Sequence, residues 1–214
     1  MSSIPDPPAL ATPGWAPAPV APPPPPPPAP PAAAPPSAAG ALVAAAVAGG
    51  AVALALGTYG RVHEPTRASI ATFGFPAVLP MKAWFGTVAF TLALAQLTSA
   101  LAMWGRLPGV TRAPGWLTQV HRWSGTAAFV VSLPVAYHCL WSLGFQVTDA
   151  RVLAHSLAGC AFYGAFATKL LALRIERLPG WALPTIGGIL VTCLTAVWLT
   201  SSLWFFANVG FPGV

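Results

Sequence analysis

The sequence predicts an all-α integral membrane protein: a helical bundle of five transmembrane helices behind a disordered Pro/Ala-rich N-terminal arm. Three observations carry this. Only 7% of the 214 residues are charged and 56% are hydrophobic, whereas an ordinary soluble domain carries about 25% charged residues. Five apolar stretches each reach the roughly 20 residues that a helix needs to cross the hydrocarbon core. Trp84, Trp104, Trp116, Trp123, Trp141, Trp181 and Trp204 gather near the ends of those stretches, as an interfacial aromatic belt requires.

Residues 1–38 are a separate material. Pro22 to Pro28 is an unbroken proline run inside a longer Pro/Ala tract, without the donors for a helix or the bulk for a core. A polyproline-II-like spacer is expected, with docking to a proline-reading domain as the alternative. No Lys or Arg precedes the apolar segment that begins near Ala39, so a signal peptide is not expected.

The membrane domain runs over residues 39–206, with a short tail at 207–214. Span one, Ala39 to Tyr59, is Ala, Val, Leu and Gly. The longest connection, Gly60 to Met81, contains His63. Span two is Ala83 to Trp104. Span three, Leu117 to Leu143, carries Pro134, where a kink is expected because proline offers no N–H and crowds the preceding turn. Gly144 is suited to end span three and Asp149 to cap span four. Span four, Val152 to Leu173, and span five, Trp181 to Phe206, carry small-residue stripes: Ser156, Cys160, Gly164 and Thr168 on one, Gly188, Thr192, Ala196 and Thr200 on the other. Such stripes allow close helix approach, within the chain or in an oligomer. Lipid leaves the backbone of all five no option but the helix.

Net charge is +6. The basic residues are scattered as flanks of apolar segments, so membrane-edge anchoring is indicated and a nucleic-acid partner is not. Arg106, Arg112, Arg122, Lys169, Arg174 and Arg177 belong to one side; Arg61, Arg67, Lys82 and Arg151 belong to the other. The positive-inside rule then puts the N-terminus in the cytoplasm and the C-terminus outside the cell membrane. Cys139, Cys160 and Cys193 form no CxxC or CxxCH pattern, so they read as small buried hydrophobes rather than as haem attachment or zinc sites.

Histidines are the chemistry-bearing residues. An intramembrane imidazole is costly and usually has a partner. His138 lies near the end of span three and His155 near the start of span four, each roughly 9 Å deep at 1.5 Å per residue, so the two are level. His121 precedes His138 by about 25 Å of helix rise and belongs to the opposite surface. Two level imidazoles in an apolar bundle suit the iron of a b-type haem. Gly159, one turn after His155, and Gly125, one turn after His121, leave space for a flat macrocycle. Helices joined by so short a loop usually pack about 8–10 Å apart. Spans three and four must therefore splay or sit diagonally, unless His63 supplies one ligand. The competing explanations are an interfacial role for His121, a capping role for His63, and interhelical hydrogen bonding for His138 and His155.

His121-Arg-Trp-Ser-Gly125, His138 and His155-Ser-Leu-Ala-Gly159 resemble the helix pattern of the cytochrome b561 and ferric-reductase-like membrane proteins. Gly57 to Phe206, including Gly60-Arg-Val-His-Glu-Pro-Thr66 and Leu178-Pro-Gly-Trp-Ala-Leu-Pro184, is similar to an actinobacterial family of five-span proteins with no assigned activity. The first resemblance implies haem b and transmembrane electron transfer. Where di-haem members of that class carry a further histidine after the His155 position, this chain has Lys169, which implies one haem. The expectation is a membrane electron-transfer protein holding one haem b near the outer face through His138 and His155, with His121 and His63 as further candidates and a quinone or redox protein as partner. It is a relay more than a self-contained enzyme, because the four acidic residues are scattered and no nucleophile–base pattern occurs. The alternative is a cofactor-free membrane subunit, or a small-solute or proton pathway, with structural histidines.

Overall fold

The computed structural model describes residues 37–110 and 113–210. Residues 1–36 of the expected disordered arm (1–38), Arg112 of the basic flank and residues 211–214 of the tail (207–214) lie outside the described residues; Ala38, expected in the arm, already belongs to the first helix. Five long helices and no strand occur among the described residues: α1 (Ala38–Val62), α2 (Val78–Met103), α3 (Trp116–Leu143), α4 (Ala150–Ala172) and α5 (Ala182–Asn208). The last stretch of α3, His138–Leu143, and a segment of α5, Leu199–Leu203, widen to π-helical geometry.

The helix ends have local causes. Ser37 caps α1 by accepting from the Gly40 amide at 3.1 Å. Asp149 caps α4 by accepting from the Val152 amide at 2.9 Å, as its position after the short loop predicts. Gly144 follows α3 with φ of +72°, a conformation that a Cβ would strain. α2 begins at Val78, several residues before the expected Ala83, because Pro80 falls in its first turn, where the missing N–H costs nothing.

Four of the helices, α1, α2, α3 and α5, are long and apolar enough to cross a membrane. α4, which carries Arg151, His155 and Lys169, is not among them. Only 11% of the most apolar window of α1 is buried within the protein, and Val43, Val47 and Leu54 stand exposed on its surface. An apolar surface of that extent requires lipid around it.

Packing pairs α1 with α4, α2 with α3, α4 with α5 and α2 with α5. α1 and α4 meet through glycine. A Cβ on Gly164 would lie 2.6 Å from the Gly49 carbonyl oxygen and 2.8 Å from the Ala53 Cβ, and a Cβ on Gly49 would collide with Thr168. The small-residue stripe read from span four therefore faces α1 and brings the two backbones together. A second crossing sets Gly86 of α2 against Ser202 of α5, where a Cβ on Gly86 would approach the hydroxyl to 2.6 Å. Ala93, Phe162, Ala172, Ile186, Leu190 and Leu194 form the apolar core between α2, α4 and α5.

Gly164→Ala should lower the thermal stability of the detergent-solubilised protein by about 1–3 kcal/mol, the usual cost of overpacking. Gly159→Ala, with nothing within 4 Å of the added methyl, should be neutral or slightly stabilising. Equal losses at both positions would contradict the proposed α1–α4 contact.

Candidate functional site

Pro134 organises the site. Its carbonyl oxygen accepts from the His138 Nδ1 at 2.8 Å, and a carbonyl can only accept, so Nδ1 carries the proton and Nε2 keeps its lone pair. His138 is 1% exposed, and its Nε2 is buried without a hydrogen-bond partner. Leaving such an acceptor unmet costs about 1–3 kcal/mol.

His155 reaches the same tautomer by another route. Its Nδ1 lies 3.3 Å from the Thr200 hydroxyl, whose single hydrogen is already directed to the Ala196 carbonyl at 2.6 Å. Thr200 therefore accepts and Nδ1 donates. The Nε2 of His155 faces the Cys139 sulfur at 3.8 Å, a weak partner. This contact also fixes the depth: His138, adjacent to Cys139, and His155 lie at one level, as the helix rise predicts.

Between these helices is a predominantly apolar cavity of about 430 Å³, within the roughly 300–1,000 Å³ range of small-molecule sites. His155, Cys139, Gly159, Tyr163, Lys82 and Arg151 are on its wall, but His138 is not. The cavity exists because α3 and α4 do not pack backbone to backbone. They touch through long side chains: Ser132 with Tyr163 at 2.8 Å, Phe129 stacked on Phe166 at 4.2 Å, and Cys139 with His155. Contact between the backbones of α3 and α4 is thus sparse, and Gly159 borders open space.

His63 ends α1, and its ring stacks against both Tyr59, at 5.0 Å, and Trp141, at 4.5 Å, which themselves lie 6.4 Å apart. Its Nε2 is also buried without a partner. Trp141 in turn stacks on Tyr137, which meets the His138 ring edge-on at 5.4 Å. His63 is therefore a packed member of an aromatic cluster on the π-helical turn.

At the other end of the bundle, the His121 Nδ1 pairs with the Ser99 hydroxyl at 2.9 Å, and the Gln96 amide donates to the His121 carbonyl and to Ser124. Gln96 also fills the space beside Gly125, 2.9 Å from where a Cβ would be, so that glycine serves helix packing. His121 is separate from His138 and His155. Among the described residues no group of three or more His, Cys, Asp or Glu side chains could hold a bare metal ion. Sequence reasoning missed Thr200, which sets the tautomer of His155, and Lys82 on the cavity wall. The position of Lys82 one turn into an apolar helix was the available signal for the latter.

A membrane-embedded α-helical bundle, with an apolar cavity and interior histidines at one end, is the class of protein that this fold and site define. The chain belongs to a family of unknown function, DUF6529, whose profile covers residues 42–213. No curated protein and no solved structure matches it.

In the ligand-free protein, His138→Leu should change stability by less than about 1 kcal/mol, because it removes an unsatisfied nitrogen together with one hydrogen bond. Gln96→Leu, which deprives the Ser124 hydroxyl of a donor and the His121 carbonyl of one of its donors, should cost about 1–3 kcal/mol. Thermal unfolding in detergent compares the two; a larger loss at His138 would mean that its nitrogen is satisfied.

Proposed function

We propose that this protein is a membrane electron-transfer carrier that would hold one haem b in the cavity at the His63 end of the bundle, with His155 and His138 as the residues that would bind its iron. The observation that carries the reading is the shared state of the two imidazoles. Both are at one depth, both have Nδ1 tied by a hydrogen bond, and both have an Nε2 lone pair without a strong partner. Metal-bound histidines characteristically present this arrangement, with the second nitrogen held by a carbonyl or similar group.

The fit is direct for His155, on the cavity wall, and for Gly159, open beside it. His138 has the ligand tautomer but stands behind the wall, next in sequence to Cys139, so loading requires its ring to come forward. The π-helical turn that begins at His138 is where the regular i to i−4 ladder of α3 is already broken, so such a shift would disrupt the least regular helix there. Haem, when bound, would supply one-electron redox chemistry. The chain would fix the iron through the two rings, exclude water with the apolar wall and hold His155 through Thr200. A quinone or a redox protein would exchange electrons with it.

Five helices, α4 included, would span the bilayer in this reading, leaving the N-terminus in the cytoplasm and the His63 end outside, in line with the basic flanks. The resemblance of the His121, His138 and His155 segments to the cytochrome b561 helix pattern, read from the sequence, points the same way. The cofactor-free reading, in which the histidines are interhelical glue or a proton path, draws on the contacts of His155 with Thr200 and Cys139.

Purified from cells supplied with ample haem, the protein should have a Soret band that shifts on dithionite reduction. His155→Ala and His138→Ala should each abolish the low-spin spectrum, whereas His63→Ala should retain it. A colourless wild-type protein would end the haem reading in favour of the cofactor-free one.

A further inference from the structure

Two cations are on the cavity wall, and their surroundings differ. Arg151 is fully engaged: it donates to the Thr200 carbonyl at 2.7 Å, lies over the Trp204 ring at 4.1 Å and is 3.9 Å from the Asp149 carboxylate. Lys82 has no such set. Among the described residues no carboxylate lies within ion-pair distance of it; its partner is the side chain of Cys139, hydrogen-bonded to it on the same cavity wall. An ammonium on the wall of an apolar cavity is costly without a counter-charge, and no carboxylate of the described residues supplies one there.

We propose that Lys82 anchors a carboxylate carried by the molecule that occupies this cavity, the rest of that molecule being apolar. The shared chemistry is an acid head on a hydrophobic body. Two sources provide it: a haem propionate, in which case the inference rests on the haem reading above, or the head of a free long-chain fatty acid, in which case it does not. A charge-assisted hydrogen bond out of bulk water would fix the orientation of either ligand, with the acid at the Lys82 end of the cavity and the apolar part toward Gly159 and Tyr163.

Four probes test this on the full chain in lipid nanodiscs: haem b, its dimethyl ester, a fluorescent polyene fatty acid and the methyl ester of that acid. The wild type should bind at least one acid roughly ten-fold more tightly than its ester, the scale of one charged hydrogen bond. Lys82→Met, an apolar replacement of similar length, should remove the preference, and Lys82→Arg should restore it. Discrimination confined to the haem pair identifies a propionate; discrimination confined to the fatty-acid pair identifies a free acid and leaves the inference standing even if haem does not bind. Haem binding with no difference between acid and ester in either pair would overturn the inference while the haem reading survives. A preference that persists in Lys82→Met, or no binding of any probe, overturns it as well.

Discussion

Much of this architecture depends on one missing hydrogen. Pro134 contributes no N–H to α3, so the helix cannot close its regular ladder there. The stretch from His138 onward relaxes to π-helical geometry. The Pro134 carbonyl accepts from the His138 ring, and the C-terminal turn of this stretch has further carbonyls without intrahelical partners. Those of Trp141 and Ser142 accept from the amides of Thr66 and Arg67 at 3.3 and 3.1 Å, and the Ser142 hydroxyl donates to the Ala68 carbonyl at 2.7 Å. One helix irregularity thus ties down the long loop after α1, seats His63 against Trp141 and sets the tautomer of His138. π-Turns are rare and concentrate at functional sites, and this one begins at the most buried imidazole of the chain.

A second constraint is the glycine crossing of α1 and α4. α4 follows α3 in the chain after a short loop, and chain neighbours commonly pack together. Gly49 and Gly164 instead draw α4 onto α1, while α3 is taken by α2. The two histidine-bearing helices are left facing one another across a gap that only large side chains bridge. The cavity is a consequence of where the small residues are, and its apolar character follows from the lipid-type composition of all the helices around it.

The legible and illegible parts of this fold divide along physical lines. Helix rise is fixed at 1.5 Å per residue, so depth could be read from residue numbers: His138 and His155 do lie level, and His121 is distant. Capping is equally local, and Asp149 and Gly144 behave as their residue types dictate. Azimuth is different, because each residue turns the helix by about 100° and a π-turn shifts everything after it. Hence nothing in the spacing revealed that Cys139, rather than His138, would face the cavity. Partners are also non-local. Gln96 fills the notch at Gly125 from another helix, and Thr200 reaches His155 from α5, so neither glycine space nor histidine tautomer followed from the motif alone.

The unmet groups at this end of the bundle have a common direction of need. His138 holds a buried acceptor with no donor, His63 a buried ring nitrogen with no partner, and Lys82 an ammonium with no carboxylate beside it. Left so, they subtract from a stability that is only about 5–15 kcal/mol in a typical protein. A sequence selected for stability alone would replace them with apolar residues at little loss. Buried polar groups kept at such a cost gather where a structure serves something besides its own folding. Here they gather at one end of the bundle, with Lys82 on the cavity wall and His138 and His63 behind it, beside the π-helical stretch of α3.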